Sequence, residues 1–402
     1  TDPLEIMVEF CRENKIEIFW SMRMNDIHDA WNDWYSPYLF PELKKEHPEW
    51  LMGTREEPTV NGRWTAVDFT HPEIRDLAFQ YFEEVATNYD VDGLMLDFMR
   101  HPIYFKRHAM GEPCGQAEWD MMTDLVARIR AMADEAARQK GHPILVAVRV
   151  PDSTELARAI GLDYERWMRE DLIDILVVSG YFRVNPWEIS VELGHKYGVP
   201  VYPCLSETRL RDEEAKGVRA SLESYRARAA DVHNANADGV YMFNFFNPHS
   251  PLWNEVGSVE TLKPLDMTYT TGARGLGDLP SNWFRGGEHY FNRLLVNPER
   301  PRAIAAGGSM TAELTVGLTP GECGADSAVL RLRFDELPSQ EEVKVTLNGT
   351  ALDEGSQNGN WLEFQAPLDG INRGSNWIKV MNMSEAELVW QDLLLVVKHE
   401  TT

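Results

Sequence analysis

Up to about residue 246, seven short apolar runs follow one another, most of them separated by stretches with helical spacing. The runs are Ile16–Met22, Thr65–Phe69, Gly93–Phe98, Ile144–Val150, Asp174–Ser179, Val199–Cys204 and Gly239–Phe243, and each predicts a strand. Between them a 3.6-residue period predicts helices over Glu73–Asn88, Ala117–Gln139, Thr154–Arg169, Trp187–Tyr197 and Glu213–Asn234. A further helix opens the chain, with Leu4, Met7, Val8 and Cys11 on one face. Strands that alternate with helices and read as unbroken apolar runs indicate a parallel sheet covered on both faces. Seven units is one short of a closed barrel, and the chain enters its first strand from a helix. The expectation is an α/β fold, a (β/α)8 TIM-type barrel whose first strand lies upstream of Thr1. The rival is an open doubly wound sheet.

Residues 251–300 are rich in Pro, Gly, Asn and Trp and read as an irregular connection between a barrel over 1–250 and a last region over 301–402. There the period changes to two. Ala312–Leu318, Ala328–Phe334, Glu342–Leu347, Trp361–Gln365, Trp377–Met381 and Leu388–Lys398 alternate apolar and polar residues, with turn signals at Asn348-Gly349 and Asn358-Gly359. Short strands without helices predict a C-terminal β-sandwich.

Charge narrows the function. A formal net charge of −25 argues against a nucleic-acid partner, because a phosphate backbone needs a basic face. No apolar run reaches the ~18 residues of a membrane span. Cys11, Cys114, Cys204 and Cys323 are scattered, with no zinc spacing and no disulfide framework. The sequence identifies neither compartment nor oligomeric state.

In a barrel, chemistry sits at the carboxyl ends of the strands and in the loops after them. The residues found there are Trp20, Arg23, Asn25, Asp26 and His28 after the first run, and Asp68 after the second. Asp97, Arg100 and His101 follow the third, Arg149 and Asp152 the fourth, and Tyr181 and Arg183 the fifth. Glu207 and Arg209 follow the sixth, and Asn244 the seventh. Asp97 stands out because it ends an apolar strand and a fixed positive charge, Arg100, follows it. Such a carboxylate is expected to stay ionised, which suits a nucleophile or the stabiliser of an oxocarbenium-like state. A structural Asp paired with Arg100 fits the pattern as well.

The stretch from His47-Pro48-Glu49-Trp50 through Tyr89-Asp90-Val91-Asp92-Gly93 to Asp97-Phe98-Met99-Arg100-His101-Pro102 resembles the glycosyl hydrolase-like family 10 proteins. The resemblance covers about residues 1–250, with His101 standing where the family has Tyr. It implies a barrel related to those of α-amylase and α-galactosidase, with Asp97 as nucleophile at the end of the fourth strand and the first visible strand as the second.

Glycoside hydrolysis needs a second carboxyl. Glu207, just past a buried strand, is the expected general acid/base. Asp152 has a competing reading as a helix N-cap, and Asp68 reads as a substrate contact or a structural partner. Arg23, Arg100, His101, Arg149, Arg183 and Arg209 run against the acidic background and suggest a uronate-bearing or sulfated glycan; the competing reading pairs each Arg with a site carboxylate. Trp20, Trp31, Trp34, Tyr181 and Trp187 are candidates for stacking on sugar rings or for packing. Asn25, Asp26, His28 and Asp29 offer metal-ligand atoms without an established spacing, so no cofactor is expected. The expectation is a retaining glycoside hydrolase acting on a carbohydrate partner. The alternatives are a non-catalytic carbohydrate-binding barrel and a metal-assisted hydrolase or lyase.

Overall fold

The computed structural model describes residues 2–30, 32, 34, 36–275, 283–353 and 355–400. Trp31 lies outside them. The protein is mixed α/β, and its chain divides into two compact units. The first comprises Thr1–Asn185, Ile189–Tyr202 and Leu279–Phe291, and the second Pro186–Glu188, Pro203–Asp278 and Asn292–Thr402.

Six parallel strands follow in the order β1 (Phe19–Arg23), β2 (Gly93–Asp97), β3 (Leu145–Val150), β4 (Ile175–Val178), β5 (Val201–Leu205) and β6 (Tyr241–Met242). Among the described residues this order does not close on itself. β2 is buried along its whole length and β3 almost so, which is why they read as unbroken apolar runs. The helix Pro72–Asn88 turns Ile74, Ala78, Phe82 and Val85 inward, and Gln116–Lys140 buries Leu125, Ile129, Ala133 and Ala136. Gly141, at φ 80°, ends the latter helix in the left-handed conformation that glycine adopts most easily. The predicted helix Thr154–Arg169 is two, Thr154–Ala159 and Tyr164–Arg169, separated at Gly161 with φ 98°. Gly93 opens β2 opposite Phe19, and a Cβ there would come 2.1 Å from Phe19 Cε1.

One predicted strand is absent. Thr65–Phe69 is a turn with an isolated bridge between Leu51 and Val67. The backbone groups of Val67 that a ladder would use are taken by a side chain. Asn25 donates Nδ2 to Val67 O at 2.9 Å and accepts Val67 N at 3.1 Å. β1 therefore pairs directly with β2, in register from Phe19–Gly93 to Arg23–Asp97. Only one visible strand precedes the one ending in Asp97, where the sequence count had two.

The second unit contains two antiparallel sheets. One has the order β13 (Ser356–Asn358), β14 (Trp361–Gln365), β10 (Ser327–Phe334), β16 (Leu388–Lys398), β7 (Met267–Thr270), with β8 (Arg302–Ile304) also pairing to β16. The other has β12 (Thr350–Ala351), β11 (Val343–Leu347), β15 (Gly374–Asn382), β9 (Ser309–Val316). Asn348 and Gly349 make the β11–β12 turn with φ 52° and 86°, the positive values an Asn-Gly hairpin turn needs. β7 comes from the segment read as irregular. Ion pairs hold these strands to the helix Glu213–Ala220: Arg219 donates to Asp392 at 2.7 and 3.0 Å in a buried pair, and Arg333 reaches the half-buried, helix-capping Asp212 at 2.9 Å.

Candidate active site

Parallel pairing brings the strand ends of the first unit into one row. Arg23 stands opposite Asp97, Asp97 opposite Arg149, and Arg149 opposite Val177. Partners in register share a face of the sheet. Arg149 is fully buried and donates Nε to Asp97 Oδ1 at 2.9 Å and Nη2 to Oδ2 at 2.8 Å. The Met99 N–H also donates to Oδ1, at 3.0 Å. An oxygen that accepts two such bonds is a weaker nucleophile than a free one, so the geometry presents Asp97 as a fixed counter-charge. The neighbour that holds it is Arg149, where the sequence suggested Arg100.

Arg23 donates to Asp26 Oδ2 at 2.8 Å. The β1 loop buries Met24, Asn25, Ile27 and Asp29 and leaves Asp26 and His28 half-buried between them. Asp26 Oδ1 accepts both the backbone N–H of His28 at 2.9 Å and ring Nδ1 at 2.7 Å, a local turn that fixes carboxylate and imidazole together. Burial pushes the Asp26 carboxyl up. The His28 N–H, the Arg23 guanidinium and the His28 ring outweigh that, and the net shift is below the usual carboxylate range. His101, from the β2 loop, packs edge-on to His28 with centroids 4.9 Å apart. Burial lowers its pKa to about 4, against the pull of Asp26.

Next to the imidazoles lies an aromatic pair. Tyr181 and Trp283 stack at 6.1 Å and 21°, Trp283 lies 5.7 Å from His101, and Arg100 stands 5.7 Å above Tyr181. Burial lowers the pKa of Arg100. Asp26, His28 and Arg23 also line a cavity of about 530 Å³, walled on its apolar side by residues such as Leu39, Leu77 and Tyr81. That is the size of a small-ligand pocket.

Other predicted residues have structural partners. Besides Val67, Asn25 donates to Ile103 O at 2.7 Å. Trp20 packs edge-on to Phe82 of the helix Pro72–Asn88, at 5.4 Å. Asp68 Oδ1 accepts Thr70 N at 3.0 Å and Lys106 N at 3.3 Å. Asp152 is buried and accepts Val184 N at 3.0 Å and Asn185 N at 2.9 Å. Burial raises its pKa, against those two N–H groups and Arg183. The helix cap beside it is Ser153, whose Oγ accepts Leu156 N at 3.2 Å. In the second unit Glu207 and Arg209 are exposed and paired at 2.8 Å, and Asn244 is half-buried at φ 52°. Arg23, Arg149 and Arg209 therefore each hold a carboxylate of the chain itself. Trp283 escaped the sequence reading because it lies in a Pro/Gly/Asn-rich segment with no periodicity.

No protein-family profile matches the chain, and no curated protein is significantly similar to it. Solved structures give distant likenesses. An α-galactosidase of glycoside hydrolase family 36 from Geobacillus stearothermophilus is 15% identical over 94% of this chain and 46% of its own, with a TM-score of 0.37. A glycoside hydrolase family 18 N-acetylglucosaminidase from Paenibacillus barengoltzii is 14% identical over 61% of this chain and 82% of its own, at 0.36. A cycloisomaltooligosaccharide glucanotransferase from Paenibacillus sp. is 9% identical over 97% and 47%, at 0.34. The chain thus spans about half the length of the first and third. Likenesses at these scores do not establish a common fold.

Proposed function

We propose that this chain is a glycoside hydrolase whose first unit holds the sugar at the carboxyl ends of β1, β2 and β4. The observation that carries the reading is a run of polar groups, the fixed pair Asp26–His28 and then His101, with a cavity of about 530 Å³ at its Asp26–His28 end and the stacked rings of Tyr181 and Trp283 at its His101 end. Rings that stack on the apolar face of a sugar, beside polar groups that bond its hydroxyls, are the two halves of carbohydrate recognition.

In this reading Asp97, held by Arg149, supplies the negative charge that steadies an oxocarbenium-like state. Glu207, in the second unit, is proposed as the acid/base on sequence grounds alone. The resemblance to the glycosyl hydrolase-like family 10 proteins and the apolar parallel strands support a (β/α)8-type barrel over 1–250, and the antiparallel strands support a β-sandwich over 301–402, to which the 251–300 segment contributes β7. The preference for a uronate-bearing or sulfated glycan rests on the arginines that follow the strands, Arg100 and Arg183 among them, against the acidic background of the chain.

The test is hydrolysis of neutral, uronate-bearing and sulfated oligosaccharides by wild type, Asp97→Asn, Glu207→Gln and Tyr181→Ala. Cleavage of one glycan class, lost in both carboxylate variants while the fold is kept, supports the reading. Binding without cleavage moves the function to a carbohydrate-binding protein, and carboxylate variants as active as wild type overturn the assignment.

A further inference from the structure

We propose that Asp26, His28 and His101 form a binding site for a divalent transition-metal ion. Each residue can offer one ligand atom, and the three atoms lie within 4.8 Å of one another. Bonds of about 2.0–2.2 Å place ligand atoms roughly 3–4 Å apart, so small side-chain rotations close the set.

A second, independent observation points to the same spot. His101 is only 3% exposed, and its Nδ1 has no hydrogen-bond partner among the described residues. Buried polar side-chain atoms in folded proteins are almost always satisfied. An ion between His101 and the Asp26–His28 pair would satisfy this one.

The ligand set selects the ion. Two imidazoles with one carboxylate suit zinc, cobalt, iron or manganese better than calcium or magnesium, which take oxygen ligands. Three protein ligands leave coordination positions open. Asp26 and His28 line the cavity, so those positions would accept a sugar oxygen or water there. Two cations oppose the ion, Arg100 near His101 and Arg23 beside Asp26. Arg23 holds Asp26 Oδ2 at 2.8 Å, but it is exposed and can turn out to solvent.

The site belongs to the centre assigned above to sugar binding, but its test needs no glycan, so the two proposals fail separately. Tag-free protein stripped with chelator is titrated with Co²⁺, followed by its visible ligand-field bands, and the cobalt is then displaced with Zn²⁺. We expect one equivalent to bind. We expect His28→Ala, His101→Ala and Asp26→Asn each to weaken binding by about tenfold or more. Arg23→Met should tighten it several-fold by releasing the carboxylate. If the buried His101 variant does not fold, His28→Ala and Asp26→Asn, both at half-buried positions, decide the matter. No saturable single equivalent in wild type, or binding unchanged in those two variants, overturns the site.

Discussion

Asp97 and Arg149 face each other across the β2–β3 ladder and join through two hydrogen bonds, 2.9 and 2.8 Å, with both side chains buried. Removing one partner of such a pair leaves a buried charge uncompensated. Arg149→Met should destabilise the protein by about 3–5 kcal/mol, whereas Arg149→Met with Asp97→Leu should recover most of the loss. Urea denaturation of the single and double variants checks this. A single variant as stable as wild type would remove the pair's structural role.

His108 gives a pH dependence with a definite sign. It is buried, its ring stacks on Phe284 at 5.5 Å and 11°, and burial lowers its pKa from 6.5 to about 4. Between these values the unfolded chain takes up a proton and the folded chain does not, so stability present above pH 6.5 is lost as the pH falls towards 4. The loss should reach the order of 3 kcal/mol and level off below pH 4. Unfolding curves between those limits should flatten in His108→Gln. An unchanged slope in that variant would assign the pH dependence to other groups.

Asn25 stands in for a strand. One amide bonds the N–H and C=O of Val67 and the C=O of Ile103. Asn25→Asp replaces the donor by an oxygen facing two carbonyls, and should lose about 2–3 kcal/mol of stability. Limited proteolysis of the segment around Val67 should accelerate in parallel.

Tyr181 and Trp283 should both act on binding. Each is half-buried in a loop, and truncating either to Ala should weaken glycan binding by roughly 1 kcal/mol, about fivefold; Tyr181→Ala should leave the melting temperature little changed, whereas Trp283→Ala should lower it, because Trp283 also packs against the buried Ile27, Met52 and Ile103. Calorimetric titration with the glycan identified by the hydrolysis panel would measure it. Affinity unchanged in both variants would exclude the stacking platform.

The parallel strands and most helices were legible because burial on both faces writes long apolar runs, as in Gly93–Asp97 and Leu145–Val150. The C-terminal strands were legible through their alternation, as along Gly374–Asn382, where Asn376, Ile378 and Val380 are buried and Trp377 and Lys379 exposed. Thr65–Phe69 misled because an apolar run shows that residues are buried and says nothing about what their backbone bonds to. The site was half legible. Position after a strand singled out Asp26, His28, Asp97 and His101, but Asn25 and Asp68 sit at equally suggestive places and serve the backbone. The partner of Asp97 followed from register between β2 and β3, a long-range relation that local spacing does not encode.

Gly93 and Phe19 have a consequence for the history of this chain. With Phe19 lying where any side chain at position 93 would go, the two positions cannot drift separately. A homologue with alanine or larger at 93 should carry a small residue at 19, and one that keeps an aromatic at 19 should keep glycine at 93. The spacing between that glycine and Asp97 then becomes an inherited ruler, fixing how far above the Phe19 ring the carboxylate row can sit.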